Sequence, residues 1–181
     1  MYQGNNPTAI QSQKMITQAL LSLMKTKKFS KIQIKELCEY AKVSRQTFYS
    51  LFGNKDQILE LYFDQIFAAY VGHMKKIDNL SLSIICTSSI TYLIKHSQFI
   101  ELLVLNNLNY IMIKKLKQYL LEFSEVINAN TTKNHDYAIA FLAGALVETI
   151  GEYVQNNQFK DAKDISNLIE TILSGNYFIV H

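Results

Sequence analysis

The sequence predicts an all-α protein of about nine helices: an N-terminal three-helix helix-turn-helix domain followed by a C-terminal helical domain. Three observations lead there. Apolar residues recur at three- and four-residue spacing through most of the chain. One proline and six glycines in 181 residues leave little turn punctuation for an all-β fold. Ser30 to Lys55, SKIQIKELCEYAKVSRQTFYSLFGNK, reads as two short amphipathic helices joined by a tight turn. With 49% apolar residues, 11 Tyr and 10 Phe, the chain can bury a substantial core.

Taken in order, Thr8 to Lys27 is a first helix whose Ile16, Ala19, Leu20 and Leu23 form one apolar stripe, with Phe29 and Ile32 closing a small core behind it. Ile34, Leu37, Cys38 and Ala41 lie at i, i+3, i+4 and i+7, the buried face of a second helix. Val43 plugs the turn, Ser44 caps a third helix, and Phe48 and Phe52 form its buried face. Gly53 is expected to end that helix. Asn54 with Gln57 three residues later has the form of a capping box, starting a fourth helix to about Lys76, whose Leu59, Tyr62, Phe63, Ile66, Tyr70 and Met74 carry an apolar stripe onward. Further helices are expected near Leu80 to His96, Gln98 to Asn107, Tyr110 to Ile127, Asp136 to Gln155 and Lys163 to Leu173, with Asn-rich loops between. The domain division is drawn at residues 1–53 and 54–181.

The third helix has a polar side that can lie in a DNA major groove. Charge agrees: of 18 Lys and Arg and 15 Asp and Glu, nine basic and four acidic residues fall within the first sixty positions, leaving a mildly acidic body. Solvated lysines alone would give the same asymmetry.

This segment resembles the DNA-binding domain of the TetR family of bacterial one-component regulators. The resemblance runs over about fifty positions, through Gln33, Ile34, Leu37, Cys38, Ala41, Lys42, Val43 and Ser44, then Phe48, Tyr49, Leu51, Phe52, Lys55 and Ile58. Three positions depart from the family pattern. Gln33 replaces a capping Thr, Lys42 replaces a Gly that eases a left-handed turn at a strain of roughly 1 kcal/mol, and Leu51 replaces a His that often touches phosphate. The resemblance implies a homodimer on a palindromic double-stranded DNA operator, acting as a repressor, with half-sites about 34–36 Å apart.

The DNA-facing set is Gln33, Lys35, Ser44, Arg45, Gln46, Thr47, Tyr49, Ser50 and Lys55. Arg45, Gln46, Thr47 and Ser50 form the base-reading surface. Arg45 is the single arginine of the chain, and its planar fork suits guanine; a phosphate contact or plain solvation is the alternative. Tyr49 and Lys55 are phosphate contacts by resemblance, Lys55 aided by the positive end of the helix it begins. Gln33, Lys35 and the cluster Lys25, Lys27 and Lys28 are further phosphate candidates, against lysines that are simply solvated.

Control is expected from the body, through a small-molecule effector or a protein co-regulator. Phe67, Tyr92, Phe99, Met112, Tyr119 and Phe123 can line an effector pocket or serve as core. In Tyr137 to Val154 the small residues Ala140, Gly144 and Gly151 interrupt large apolar ones. With Ile165, Leu168, Ile169 and Ile172 of the last helix, they leave more apolar faces than one monomer covers. In TetR-like proteins the final two helices pair about a two-fold axis; a helix central to the monomer core is the other reading. The stretch from Phe141 through Tyr153 to Asn156 and Asn157 is weakly similar to a Gram-positive TetR subgroup that includes the dihydroxyacetone kinase operon regulator.

An export signal is not visible in the first 14 residues, so a cytoplasmic protein is expected. The apolar stretches Asn79 to Ile94 and Tyr137 to Val147 fall short of the roughly 20 residues that span a bilayer, and no membrane association is expected. Cys38 and Cys86 lack CxxC or Cys-His spacing and read as ordinary buried cysteines; no metal or cofactor is expected. No Ser-His-Asp set, HExxH, P-loop or Rossmann glycine pattern occurs, and an enzyme is not expected. A helical protein-interaction module that has lost specific DNA binding is the alternative, favoured by Leu51 and opposed by Arg45, Tyr49 and Lys55.

Overall fold

A computed structural model of the chain describes residues 2, 4–124, 134–156 and 162–177. Its described regular elements are helical: α1 (Pro7–Met24), a 3-10 turn (Phe29–Lys31), α2 (Ile34–Ala41), α3 (Arg45–Leu51), α4 (Asp56–Met74), α5 (Leu82–Lys95), α6 (Ser97–Leu105), α7 (Asn109–Ser124), α8 (His135–Gln155) and α9 (Ala162–Leu173). The helix expected to reach Ile127 is described as far as Ser124, and residues 125–127 lie outside the described residues, as does Asn157. The chain divides into two compact units, Met1–Ile66 and Phe67–His181. This division falls inside α4, whereas the sequence placed it ahead of that helix.

In the first unit, α1 packs on α2 and α3, which also pack on each other. Ile16 and Leu20 of α1, Leu37 of α2 and Phe48 of α3 are each 0% exposed, and Phe29, Ile32, Phe52, Ile58 and Leu59 are buried with them. Val43, in the turn, is half-buried. Asn6 caps α1 by accepting from the backbone N–H of Thr8 at 2.9 Å, with Pro7 at the first helical position, where its missing N–H matters least. Gln33 makes no side-chain cap at α2. Lys42 adopts φ 54°, in the left-handed region, and the next N–H, of Val43, reaches back to the carbonyl of Cys38 at 3.0 Å, the six-residue closure of a Schellman motif. Asn107 repeats the device after α6, with φ 58° and Leu108 N–H donating to Leu103 at 2.9 Å.

Gly53 plays a different part from the one expected. The third helix ends through Phe52 in extended geometry (φ −137°). Gly53 is instead part of the entry to α4: its N–H donates to Gln57 Oε1 at 2.8 Å while Asn54 Oδ1 accepts from Gln57 N–H at 3.0 Å. A Cβ at Gly53 would lie 3.3 Å from Gln57 Nε2, a tight approach that the Gln57 amide would ease by shifting a few tenths of an ångström.

In the second unit, α5 packs along α9 and α7 along α8. Ring contacts order its centre: Phe67 stacks on Tyr119 (centroids 5.2 Å, planes 11° apart) and meets Tyr92 at 5.3 Å, and Tyr92 meets His96 at 5.0 Å. The Tyr70 hydroxyl donates to Ile85 O at 3.1 Å and lies 2.7 Å from Ser89 Oγ. α8, with 21 residues, is the described helix long and apolar enough to cross a membrane by length and composition. The sequence places this helix over Asp136 to Gln155; the uncharged stretch Tyr137 to Val147 by itself is too short to cross a membrane. Its Ala143 and Val147 are 0% exposed and Ile150 is 2% exposed.

Three outcomes are expected from this architecture. Phe48→Ala leaves a cavity in the three-helix core and lowers unfolding stability by about 3–5 kcal/mol, whereas Lys42→Gly relieves the left-handed strain and raises it by about 0.5–1 kcal/mol; urea titration monitored by circular dichroism measures both. Burial, with the neighbouring Lys95 ammonium, holds the His96 imidazole below its ordinary value of 6.5. Below 6.5 the unfolded chain takes up a proton that the folded chain resists, so His96 makes stability fall as pH drops through 6.5 toward the folded value. His96→Gln flattens that part of the stability-versus-pH curve.

Candidate nucleic-acid interface

The short helix α3 has one buried and one exposed side because its apolar residues fall at helical spacing. Phe48, Leu51 and Phe52 are 0%, 3% and 1% exposed. Arg45, Gln46, Tyr49 and Ser50 are exposed, as are Ser44 just before the helix and Gln33 and Lys35 at the start of α2. Arg45, Gln46 and Tyr49 stand at i, i+1 and i+4, on one side of the helix. Tyr49 is 58% exposed and its ring meets Phe48 edge-on at 5.2 Å, so the phenol is steadied from beneath while its hydroxyl end is in water.

Two residues of the base-reading set have local duties. Ser44 Oγ accepts from the Thr47 N–H at 2.9 Å, and the two hydroxyls lie 2.9 Å apart, so this pair caps α3. Ser50 Oγ donates to Thr47 O at 2.8 Å. The hydroxyls of Ser44, Thr47 and Ser50 thus first serve the helix, and Arg45 and Gln46 carry the long exposed polar groups.

Lys55 requires a correction. Its ammonium donates to Phe29 O at 2.7 Å and Ile32 O at 2.6 Å and sits 4.4 Å from the centre of the Phe29 ring. Partial burial pushes its pKa down. The side chain therefore ties the start of α4 to the segment between α1 and α2, with two of its three donors engaged inside the protein. Lys27 likewise pairs with Glu36 at 2.6 Å, and that hydrogen bond pulls the Glu36 carboxyl below its usual range. Lys35 stands in an exposed pair with Glu39 at 4.0 Å, a geometry worth little in water. Leu51 is a core residue, which accounts for an apolar side chain where a phosphate-touching His is common in the resembled family.

Tyr2 contributes a contact that has no local signal in the sequence. Tyr2 N–H donates to Leu51 O at 2.9 Å, and the Gln13 side chain donates to Tyr2 O at 3.1 Å. Residue 2 thus satisfies a carbonyl at the C-terminal end of α3 that the helix itself leaves open.

The expected effector set mostly packs as core. Phe67, Phe99, Met112, Tyr119 and Phe123 are 1%, 5%, 0%, 9% and 1% exposed, because their apolar spacing places them between helices of the second unit. Tyr92 alone of the six borders the groove of about 480 Å³ bounded by the end of α4, α5 and α9. The expected dimer set divides. Gly151 and Ile169 are buried within the chain, a Cβ at Gly151 lying 3.7 Å from Asn109 Nδ2 on α7. Ala140, Gly144, Ile165 and Leu168 are half-buried, a Cβ at Gly144 would meet nothing within 4 Å, and Ile172 is 37% exposed. Tyr137 and Phe141 of α8, 77% and 75% exposed, are the large apolar side chains that the small-residue pattern overlooked. Cys38 and Cys86 are both buried, and desolvation pushes the Cys86 thiol up to about 11, away from the reactive thiolate. Among the described residues no cluster of His, Cys, Asp and Glu could hold a metal ion.

Residues 16–62 match the family model described as bacterial regulatory proteins, tetR family. The HTH-type dhaKLM operon transcriptional activator DhaS of Lactococcus lactis subsp. lactis (strain IL1403) is 33% identical over 68 residues, 38% of this chain and 36% of that protein, so the match spans about a third of the relative's length. Among solved structures, Lin0861 from Listeria innocua superposes with a TM-score of 0.79 at 18% identity, over 97% of this chain and 96% of that one. A dihydroxyacetone kinase operon activator DhaS superposes with a TM-score of 0.54 at 20% identity, over 90% and 96%. At these identities the superpositions speak for the fold across nearly the whole chain.

The Lys55 geometry has a measurable consequence. Lys55→Met removes the ammonium from the Ile32 and Phe29 carbonyls, the latter keeping only the Ile32 N–H at 3.2 Å, and lowers unfolding stability by about 1–3 kcal/mol, an effect that urea titration in the absence of DNA reads directly. A side chain used only for phosphate would leave that stability unchanged.

Proposed function

We infer that this chain, whose residues 16–62 carry the DNA-binding domain of the TetR family, is a transcriptional regulator that binds a roughly palindromic operator as a homodimer in the cytoplasm. The observation that carries the reading is the division of α3: Phe48, Leu51 and Phe52 inward, Arg45, Gln46 and Tyr49 outward. A helix held by one side and polar on the other can enter a major groove without disturbing its core. Arg45 is the residue for guanine, Gln46 for a second base edge, and Tyr49 with the N-terminal end of α2 for phosphate. The sign of regulation is repression in our reading, and activation is what the name of the Lactococcus relative states for that protein.

Dimerisation through α8 and α9 is part of the proposal, now resting on Tyr137, Phe141, Gly144 and Ile172 more than on Gly151 and Ile169. A protomer alone would leave two large aromatic side chains of α8 in water. The body is proposed to respond to an effector or a protein co-regulator through a differential affinity for two conformations, which loosens or tightens DNA by the same free energy.

A second reading, a helical interaction module without specific DNA binding, draws support from Leu51 in the core and Lys55 on internal carbonyls, since two phosphate contacts common in the family are diverted inward. Fluorescence anisotropy on the chain's own upstream intergenic DNA and on scrambled DNA separates the two. The regulator reading expects specific binding that Arg45→Ala weakens by about 1–3 kcal/mol, roughly 5- to 150-fold, with stability unchanged. It also expects affinity to fall steeply between 50 and 200 mM salt. Equal, weak binding to both DNAs with no effect of the substitution is the module's result. A reporter gene behind the bound operator reads the sign.

A further inference from the structure

The groove bounded by the end of α4, α5 and α9 has a volume of about 480 Å³, within the ~300–1,000 Å³ range of small-molecule sites. Its two long walls differ in chemistry. One is apolar, built from Tyr70 and Met74 of α4, Ile77 three residues beyond its end, and Ile84 of α5. The other is a row of hydroxyls, Thr87 and Thr91 one turn apart on α5 and Ser166 on α9, with Thr91 Oγ1 and Ser166 Oγ 3.1 Å apart.

The protons of the two threonines already have acceptors. Thr87 Oγ1 donates to Ser83 O at 2.8 Å and Thr91 Oγ1 to Thr87 O at 3.0 Å. A hydroxyl has one donor and two lone pairs, so these two can offer a visitor acceptors. The charged groups of the groove are of both signs, Lys95 and Glu170, with His73 on α4. That mixture gives no field favouring a net anion or cation, and the apolar wall penalises a buried unpaired charge.

We propose that this groove binds a neutral amphipathic small molecule, its apolar side against Tyr70, Met74 and Ile77 and its hydroxyl or amide donors on Thr87 and Thr91, and that it is the effector site of the regulator. The binding site stands on the groove's own geometry, and its effector role rests on the DNA-binding reading above. α4 supplies the coupling element by sequence continuity: it carries Met74 and Tyr70 in the groove and, earlier in the same helix, Ile58 and Leu59 in the core of the first unit. A ligand that wedges the groove in one conformation of α4 biases the equilibrium by its differential affinity.

The test uses the full chain labelled with ¹³C at the methionine methyls, where Met74 reports the groove and buried Met24 is the internal control. Hexyl β-D-glucoside, below its micelle concentration, is the probe; hexyltrimethylammonium has the same chain without a donor, and hexyl sulfate carries a negative charge. The expected result is a saturable shift of the Met74 signal by the glucoside at roughly millimolar concentration, no shift of Met24, and much weaker binding of both ionic probes. Thr91→Val, which keeps shape and removes the acceptor, weakens the glucoside about fivefold; Thr87→Leu, which fills the groove, removes the Met74 response. An unchanged signal from Met112, buried in the same unit but away from the groove, establishes in both variants that this unit folds. Absence of a saturable Met74 shift, or equal shifts from all three probes, overturns the site. DNA anisotropy with and without the glucoside is read separately: a moved midpoint supports the effector role. Saturable binding with unmoved operator affinity keeps the site and overturns that role, and failure of specific DNA binding itself overturns the regulator reading while leaving the Met74 result intact.

Discussion

The burial of Phe48, Leu51 and Phe52 is the constraint on which the exposed polar side of α3 depends. A seven-residue helix is too short to persist in water by itself. It exists because three large apolar side chains from one side of it complete a core with Ile16, Leu20 and Leu37. Once those three are inward, helical geometry leaves no choice for Arg45, Gln46 and Tyr49. Packing energy and presentation of the polar surface are thus one event.

Around that core the turns are held by backbone hydrogen bonds that the chain supplies locally. The left-handed Lys42 lets α2 close and α3 begin three residues later, at the strain that glycine would avoid. Ser44 and Thr47 fix the first turn of α3, and Tyr2 satisfies a carbonyl at its last. The Lys55 ammonium joins the beginning of α4 to the 3-10 turn through Phe29 and Ile32. Such a tie is worth more than an exposed ion pair like Lys35 with Glu39, because its acceptors are partly buried backbone carbonyls and its ammonium sits over the Phe29 ring.

In the second unit aromatic residues that the sequence left open as pocket lining or core pack mostly as core. Phe67 on Tyr119 and Tyr92 between Phe67 and His96 fill the interior, and an open groove lies instead where the end of α4, α5 and α9 diverge, beside the Thr and Ser residues of α5. Small side chains leave room and polar oxygens at the same positions, which is why the serine- and threonine-broken helix borders a groove while the aromatic-rich positions do not stay open.

Local rules were enough for the helices. The apolar spacing of Ile34, Leu37, Cys38 and Ala41, the Ser44 cap and the Asn54 with Gln57 pair each act within one or two turns, so element order and the outward side of α3 were legible in the sequence. What depended on partners far along the chain was not. Lys55 meets carbonyls 23 and 26 positions earlier, Tyr2 meets Leu51, and Gly151 faces Asn109; nothing in their neighbourhood distinguishes a tied lysine from a solvated one, or a glycine facing a helix of its own chain from one facing a second copy. Aromatic residues at core spacing read alike whether they enclose a cavity or fill it. The sequence by itself determined which residues are helical and which side of each helix is apolar, because those follow from propensity, caps and period; only the tertiary structure decided which polar atoms are engaged and where space remains, because both are set by the packing of segments distant in the chain.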